Sequence, residues 1–394
     1  MKKSRTYIAG VLASSLVVAV MAASSASAAP PTPACLAPPG SRIDLATPKF
    51  SNPTNITNPL FPVEKGGQKL QLGIEAGEPV RFETTPLRAT KLIRWNNQDV
   101  QTRVVQFVAY TSDRIAETAV DFYAQDDAGN VWYFGEDVYN YERGVIVNTK
   151  GTWRAGKDGP PGMIMPANPK LGDVYRPENI PGFAFEEVTV KATNQTVAGP
   201  KGPVAGAIFV QECLADGVLE DKTFAPGYGE FKFSVPVKAE VAQVALSVPI
   251  DALKGPAPAA LAAVADDAGK LFRTAETKRW AELDRTVKAI ERSWAKYKGG
   301  TQVPERLATQ VELALKVMAK AIREKNTREL RQAAIDVAQA GLDIELRYRV
   351  PAEVDKDRIA VWRQQLVHDQ ATGDAGNVKS DKATIEAIRA RMKK

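Results

Sequence analysis

Histidine is almost missing from this chain of 394 residues, with His368 the only one. That scarcity excludes a Ser-His-Asp triad, a Cys-His dyad, a three-histidine zinc site and a histidine-rich copper site. Cysteine is nearly as rare: Cys35 and Cys213 stand alone, too few to hold a metal by themselves. After Ala23 no stretch approaches the ~18 apolar residues of a membrane helix. Clusters of Lys and Arg interleaved with aromatics, the footprint of a nucleic-acid binder, are missing as well. Any chemistry would have to rest on carboxylates, on Lys or Tyr, or on a bound cofactor. The residues imply no cofactor and no metal.

What is present begins with a leader. Lys2, Lys3 and Arg5 precede an apolar run from Tyr7 to Ala23, and "SSASAAPP" follows. A basic start, a short apolar core and an Ala26-x-Ala28 exit make a secretory signal peptide over residues 1–28. An uncleaved anchor fits less well, because Gly10, Ser14 and Ser15 dilute the run. The expected mature chain is exported (periplasmic, cell-surface or secreted) and is not an integral membrane protein. In an oxidising compartment Cys35 and Cys213 are expected to form a disulfide.

The rest reads as two halves joined by a Pro/Ala stretch, Leu253 to Ala265. From residue 251 onward Lys and Arg number 28 against 21 acids, whereas earlier the two are nearly balanced at 24 and 25. Before the join, alternating segments such as "TRVVQFVAY", "GAIFVQECLA" and "EFKFSVPV" recur with Gly, Pro and Asn between them. They predict an antiparallel β-domain over 44–250, as a half-barrel, barrel or sandwich, behind a Pro-rich tail at 29–43. After it the period becomes helical. Trp280, Leu283, Val287, Ile290, Trp294 and Tyr297 form one face, and Leu307, Val311, Ala314, Met318 and Ile322 a second. Leu330 to Tyr348 form a third, opened by the capping signal "NTRE" and ended by Pro351. Ile359, Trp362 and Leu366 mark a fourth helix, and Ile385 with Ile388 a fifth. The fold class is therefore α+β, with a linker and first helix over 251–273 and a helical bundle over 274–394. His368 lies off its helix's apolar line and is expected to be exposed.

One stretch, "DFYAQDDAGNVWYFGED" from Asp121 to Asp137, concentrates aromatics and acids. "DDAG" is turn chemistry: Asp127 and Ala128 suit a type I turn, and Gly129 the left-handed position after it. That register sets Asp126 against Asn130, Ala124 against Trp132, Tyr123 against Tyr133, Phe122 against Phe134 and Val120 against Glu136. Asp121 and Glu136 then point to opposite faces, which counts against a carboxylate pair. The oxygen spacing of a calcium loop is not there either. The hairpin is aromatic on both faces, so one face can line a cavity while the other packs the core.

"ETAVDFYAQDDAGNVWYFGED", "GTWRAGKDGPPGMIMPANPKLGDVYRPE" and "TFAPGYGEF" resemble the signature blocks of a family of secreted bacterial proteins of uncharacterised function. The likeness covers roughly residues 54 to 235, with Phe122 where many relatives carry Trp. The resemblance implies a β-domain and no particular activity.

Three functions are open at this point. The first is a non-catalytic exported protein whose β-domain binds a small or apolar ligand or an envelope component. Its candidate contacts are Asp121, Tyr123, Trp132, Tyr133, Glu136, Met163, Met165, Arg176 and Glu178. The second is a secreted hydrolase or lyase working through two carboxylates drawn from Glu117, Asp121, Glu136, Asp137, Asp173, Glu178, Glu186 and Glu187. The third is a structural or assembly role. Within this scheme "GKDGPPGMIMPANP", Gly156 to Pro169, is expected to be an irregular edge-covering loop or lid, because its prolines and glycines oppose a sheet interior. In "YRPE", Arg176 and Glu178 are expected to be exposed, where they can pair on a loop or meet an anionic ligand.

Overall fold

Short turns organise the first half of the chain. Ala76-Gly77, Asn96-Asn97, Ser112-Asp113 and Arg143-Gly144 each hold two successive positive φ angles. That is the hairpin geometry whose twist matches the right-handed twist of the strands it joins. The computed structural model describes residues 33–38 and 40–393. The expected signal peptide lies outside the described residues.

The turns link β1 (Gln68–Glu75), β2 (Glu78–Trp95), β3 (Gln98–Thr111), β4 (Arg114–Gln125), β5 (Val131–Glu142) and β6 (Val145–Asn148) into a meander. Two short strands follow, β7 (Trp153–Arg154) and β8 (Gly162–Met165), both paired with β5. Then come β9 (Val174–Ile180), β10 (Ala184–Gly199), β11 (Gly202–Leu214), β12 (Leu219–Ala225), β13 (Gly229–Val235) and β14 (Glu240–Val248). All belong to one antiparallel sheet, ordered β6-β5-β4-β3-β2-β1-β14-β13-β12-β11-β10-β9. The sheet curls back on itself. β8 packs beside β9, and Val138 of β5 meets Phe233 of β13 and Ala242 of β14 in one cluster on the concave face.

One expectation needs correction here. Gly162–Met165 is a buried strand rather than part of an irregular loop, because β5 offers Val131–Tyr133 as pairing partners and Met163 and Met165 fill the core beside them. Residues 42–44, where the Pro-rich tail meets the β-domain, are also held in place. Ile43 N donates to Val174 O at 2.9 Å, and Arg176 N donates to Asp44 Oδ2 at 3.0 Å, so this segment covers the free edge of β9. Cys35 and Cys213 form the expected disulfide, with Cα atoms 5.7 Å apart and a sequence separation of 178.

Six helices complete the chain: α1 (Ala259–Thr274), α2 (Trp280–Gly300), α3 (Glu305–Arg323), α4 (Thr327–Glu345), α5 (Pro351–Thr372) and α6 (Ala375–Lys393). Asn326 caps α4, accepting from Glu329 N at 3.1 Å. The expected apolar faces of α2, α3 and α4 are buried, and they merge with Leu70, Leu72, Leu246 and Val248 on the convex side of the sheet. No helix among the described residues is long and apolar enough to cross a membrane.

The expected Ile359–Trp362 line of α5 packs on Ile385 and Ile388 of α6, but a second face of the helix is buried as well. Asp355, Arg358, Gln365, His368 and Asp369 are buried, so His368 is not exposed. α5 packs against α4, α6 and the sheet with a charged stripe, which apolar periodicity cannot reveal. Arg358 donates to Gln68 Oε1 and Asp343 Oδ1, both at 2.6 Å. Arg391 donates to Asp355 at 2.6 and 2.7 Å and to Glu83 at 2.5 Å. Arg81 closes the set onto Glu83 and Asp343. Three arginines thus face three acids at the seam. Burial by itself would raise the Glu83 carboxyl, but Arg391, Arg81 and Arg358 hold it well below the usual carboxylate range.

Candidate functional site

The β4–β5 hairpin has the expected turn. Gly129 sits at φ +90°, Asp126 N donates to Asn130 O at 2.9 Å, and Tyr123 and Tyr133 stack with centroids 4.9 Å apart. The Asp126 carboxylate accepts from Ala128 N, Asn130 N, Asn130 Nδ2 and Trp132 Nε1 at 2.8 to 2.9 Å, so this acid serves the turn.

Beyond the tyrosines the expected register fails. Asp121 stands opposite Glu136, and Val120 opposite Asp137, because the pairing slips by one between Asp121 and Tyr123. The cause is Gly135, at φ +111°. A Cβ there would lie 2.2 Å from Trp153 O, so only glycine lets β7 approach β5 this closely. The bulge inserts one extra residue into β5 and turns every later side chain over. Asp121 and Glu136 therefore share the concave face, against the expectation drawn from an unbroken hairpin.

The same face gathers further acids. Glu178 opposes Glu186 across β9 and β10, and Glu212 opposes Glu220 across β11 and β12. Like charges directly opposite destabilise a sheet, yet all six of these acids are at most 3% exposed. Lys222, itself 2% exposed, ion-pairs with Glu212 and lies 3.5 Å from Glu220 and 3.8 Å from Glu230. Trp153 Nε1 donates to Glu178 at 2.8 Å. Burial and the like charges of Glu178, Asp121 and Glu117 hold a proton on Glu136, against a hydrogen bond from Tyr133.

Electrostatics follow from the burial. Desolvation pushes Asp121 up to about 7, with hydrogen bonds from Tyr123 and Tyr133 opposing and Asp137 adding. It pushes Glu178 up to about 7 against the Trp153 hydrogen bond, and Glu220 up to about 8 against the pull of Lys222. Glu117, Glu136 and Glu186 are raised well above the carboxylate range for the same reason. Lys222 stays charged, since its four acidic neighbours outweigh the burial that would lower it. Asp121, Glu117, Glu136, Glu178, Glu186 and Glu220 thus hold protons more tightly than free carboxyls, in an interior that also contains the Lys222 ammonium.

A cavity of about 70 Å³ opens onto this interior at the sheet mouth. Phe61, Val63 and Val105 form its apolar lip, while Lys69, Thr84, Asp121 and Glu230 converge below. Lys69 Nζ donates to Glu230 O at 2.9 Å, and Gln71 Nε2 to Glu230 Oε1 at 3.2 Å. Thr84 Oγ1 is buried without a hydrogen-bond partner among the described residues. Among the described residues no group of His, Cys, Asp and Glu has the arrangement of a metal site.

No family model, curated protein or solved structure matches the chain. The site must therefore be read from its own residues. The concave face brings together Asp121, Tyr123, Tyr133, Glu136 and Glu178 from the expected contacts. Trp132, Met163 and Met165 are buried in the apolar core of the sheet instead. Glu178 is buried rather than exposed, and Arg176 does not pair with it. The arginine takes Glu187 at 2.8 to 2.9 Å and lies over the Phe185 ring at 4.7 Å, because the register slips by one between Glu178 and Tyr175, and this bulge in β9 undoes the alternation that would put Arg176 and Glu178 on one face. Asp137 and Asp173 also serve local contacts, with Arg154 Nη2 and Lys170 N. Glu212, Glu220, Lys222 and Glu230 were missed. The signal was present: in "GAIFVQECLA" Glu212 occupies the same parity as Ile208 and Val210, a charge on the apolar face.

Proposed function

We propose that this is an exported, non-catalytic binding protein whose curled sheet takes a small ligand rich in hydrogen-bond donors at its mouth. One observation carries the reading: Asp121, Glu230 and the unpartnered Thr84 hydroxyl converge on a cavity under an apolar lip. A few precisely placed polar groups in an otherwise apolar pocket are what orient a small ligand. The buried acids behind them violate ordinary sheet chemistry, as residues kept for a site do. The size of the cavity argues for a guest of a few heavy atoms, since each water needs roughly 10–15 Å³ of such space. The disulfide supports an oxidising compartment.

A second reading, a carboxylate-dependent hydrolase, is favoured by Asp121, held at about 7 and opposite Glu136. Against it, the cavity reaches Asp121 but not Glu136. A thermal-shift screen of small amines, amides and polyols tests the first reading. A hit should lose its shift in Thr84→Val, which keeps the side-chain shape and removes the hydroxyl. If no compound binds, and nitrophenyl glycosides are hydrolysed by the wild type but not by Asp121→Asn, the hydrolase reading replaces it.

A further inference from the structure

A second cavity, of about 300 Å³, lies in the seam between the sheet and the helices, away from the carboxyl-lined interior. Its walls are apolar: Leu72 and Val80 from the sheet, Ile335 and Ala340 from α4, Val361 from α5. Trp362, stacked on Tyr110 at 6.2 Å, closes one side. Leu313 and Val317 of α3 stand at its rim, 55% and 39% exposed. The space is about twice the roughly 150 Å³ that accepts one benzene ring, so two fused rings fit the volume.

Polar side chains enter from several elements, among them Gln310 of α3, Gln332, Asp336 and Gln339 of α4 and Gln365 of α5. Gln332 Nε2 donates to Asp336 Oδ1 at 2.8 Å and to Gln365 Oε1 at 2.9 Å, and Gln365 donates back at 3.0 Å. The two amides satisfy each other. Asp336 does not share that balance, for among the described residues Gln332 is its only hydrogen-bond donor. Arg81, Glu83 and Asp343 also line the cavity, but they are neutralised within the seam network with Arg358 and Arg391. Arg114, the cation that acts on Asp336, is committed to Asp369 and Asp381 at 2.8 Å each. Asp113, at the same cavity, adds a second acid. A wholly apolar guest would strip water from the Asp336 oxygen without replacing it, which costs free energy. Burial pushes the Asp336 carboxyl up to about 7, so above that pH an anionic guest would meet two carboxylates. A cation on an apolar body satisfies both parts of the lining.

We propose that this seam cavity binds a small amphiphilic amine, its rings against Leu72, Val80, Ile335 and Val361 and its ammonium donating to Asp336. The site is independent of the one at the sheet mouth. Isothermal titration of the full mature protein with 1-naphthylmethylamine, 1-naphthalenemethanol and 1-naphthoate tests it, since the three share a ring system and differ in head group. The amine should bind one to one, the alcohol at least tenfold more weakly, and the carboxylate not measurably. Asp336→Asn should bring the amine down to the affinity of the alcohol and leave the alcohol unchanged. Leu313→Trp, at an exposed rim position, should block both with the melting temperature preserved. Silence from the amine, equal binding of amine and carboxylate, or amine binding that survives Leu313→Trp would each overturn the assignment.

Discussion

Acidification from about pH 8 to about pH 5 should make this protein more stable, because buried carboxyls hold their protons longer in the folded state. Glu178 rises from 4.5 to about 7 and Glu220 from 4.5 to about 8 on folding. A folded pKa above the unfolded one means that the native state binds more protons between the two values. The stabilisation is then fully present below 4.5 and is lost as pH rises through about 7 to 8. One pKa unit is worth about 1.4 kcal/mol, so the Glu178 shift alone corresponds to roughly 3 kcal/mol. The acids interact with one another, so their shifts do not add. Two other groups need weighing. Burial lowers the pKa of His368, which works the other way below 6.5, but it is a single group. The depressed Glu83 loses its contribution only below its unfolded value of 4.5, outside the window. With an unfolding entropy near 2 cal/mol/K per residue, about 3 kcal/mol raises the melting temperature of a chain this long by roughly 4 °C. Calorimetric melts at constant ionic strength measure it, and Glu178→Gln should flatten the slope. A melting temperature that is flat or higher at pH 8 would refute the buried, proton-holding interior.

Three further outcomes follow from single contacts. Gly135→Ala should cost about 2–6 kcal/mol in denaturant unfolding, combining a strained positive φ with a backbone clash, whereas Gly129→Ala meets only the Ala167 Cβ at 3.2 Å and should cost less. Arg391→Met should destabilise by about 3–5 kcal/mol, since it leaves Glu83 and Asp355 buried without that partner; chemical denaturation showing under 1 kcal/mol would mean the seam is wet. Reducing the Cys35–Cys213 bridge releases a loop closed across a sequence separation of 178 and should lower stability by up to about 5 kcal/mol on the chain-entropy model, which paired melts with and without reductant will show.

The sequence carried the architecture well because the signals there are local. Period-2 runs became the strands, the 3.6-residue faces of α2 to α4 became the helical core, and the turn at Gly129 took its expected form. The two cysteines met, as their even number and the expected export suggested. The candidate site was harder to see, because it depends on register. Gly135 moved Glu136 to the face of Asp121, and nothing near it in the sequence marks that glycine as a bulge rather than a plain strand residue. Similarly, the helix–sheet seam is held by Arg358, Arg391 and Asp355 at positions that apolar periodicity assigns to solvent. Only Glu212 and its neighbours left a readable trace, as charges on an apolar parity.

The claim that the sheet mouth holds a small ligand is tested most directly by native mass spectrometry of protein purified from its own host. Wild type and two variants are compared, Glu64→Trp at an exposed position lining the mouth and Leu313→Trp at the rim of the seam cavity. The account predicts a small bound mass on the wild type that is lost in Glu64→Trp and kept in Leu313→Trp. A bare polypeptide mass for all three proteins, or an adduct that Glu64→Trp retains, would contradict it.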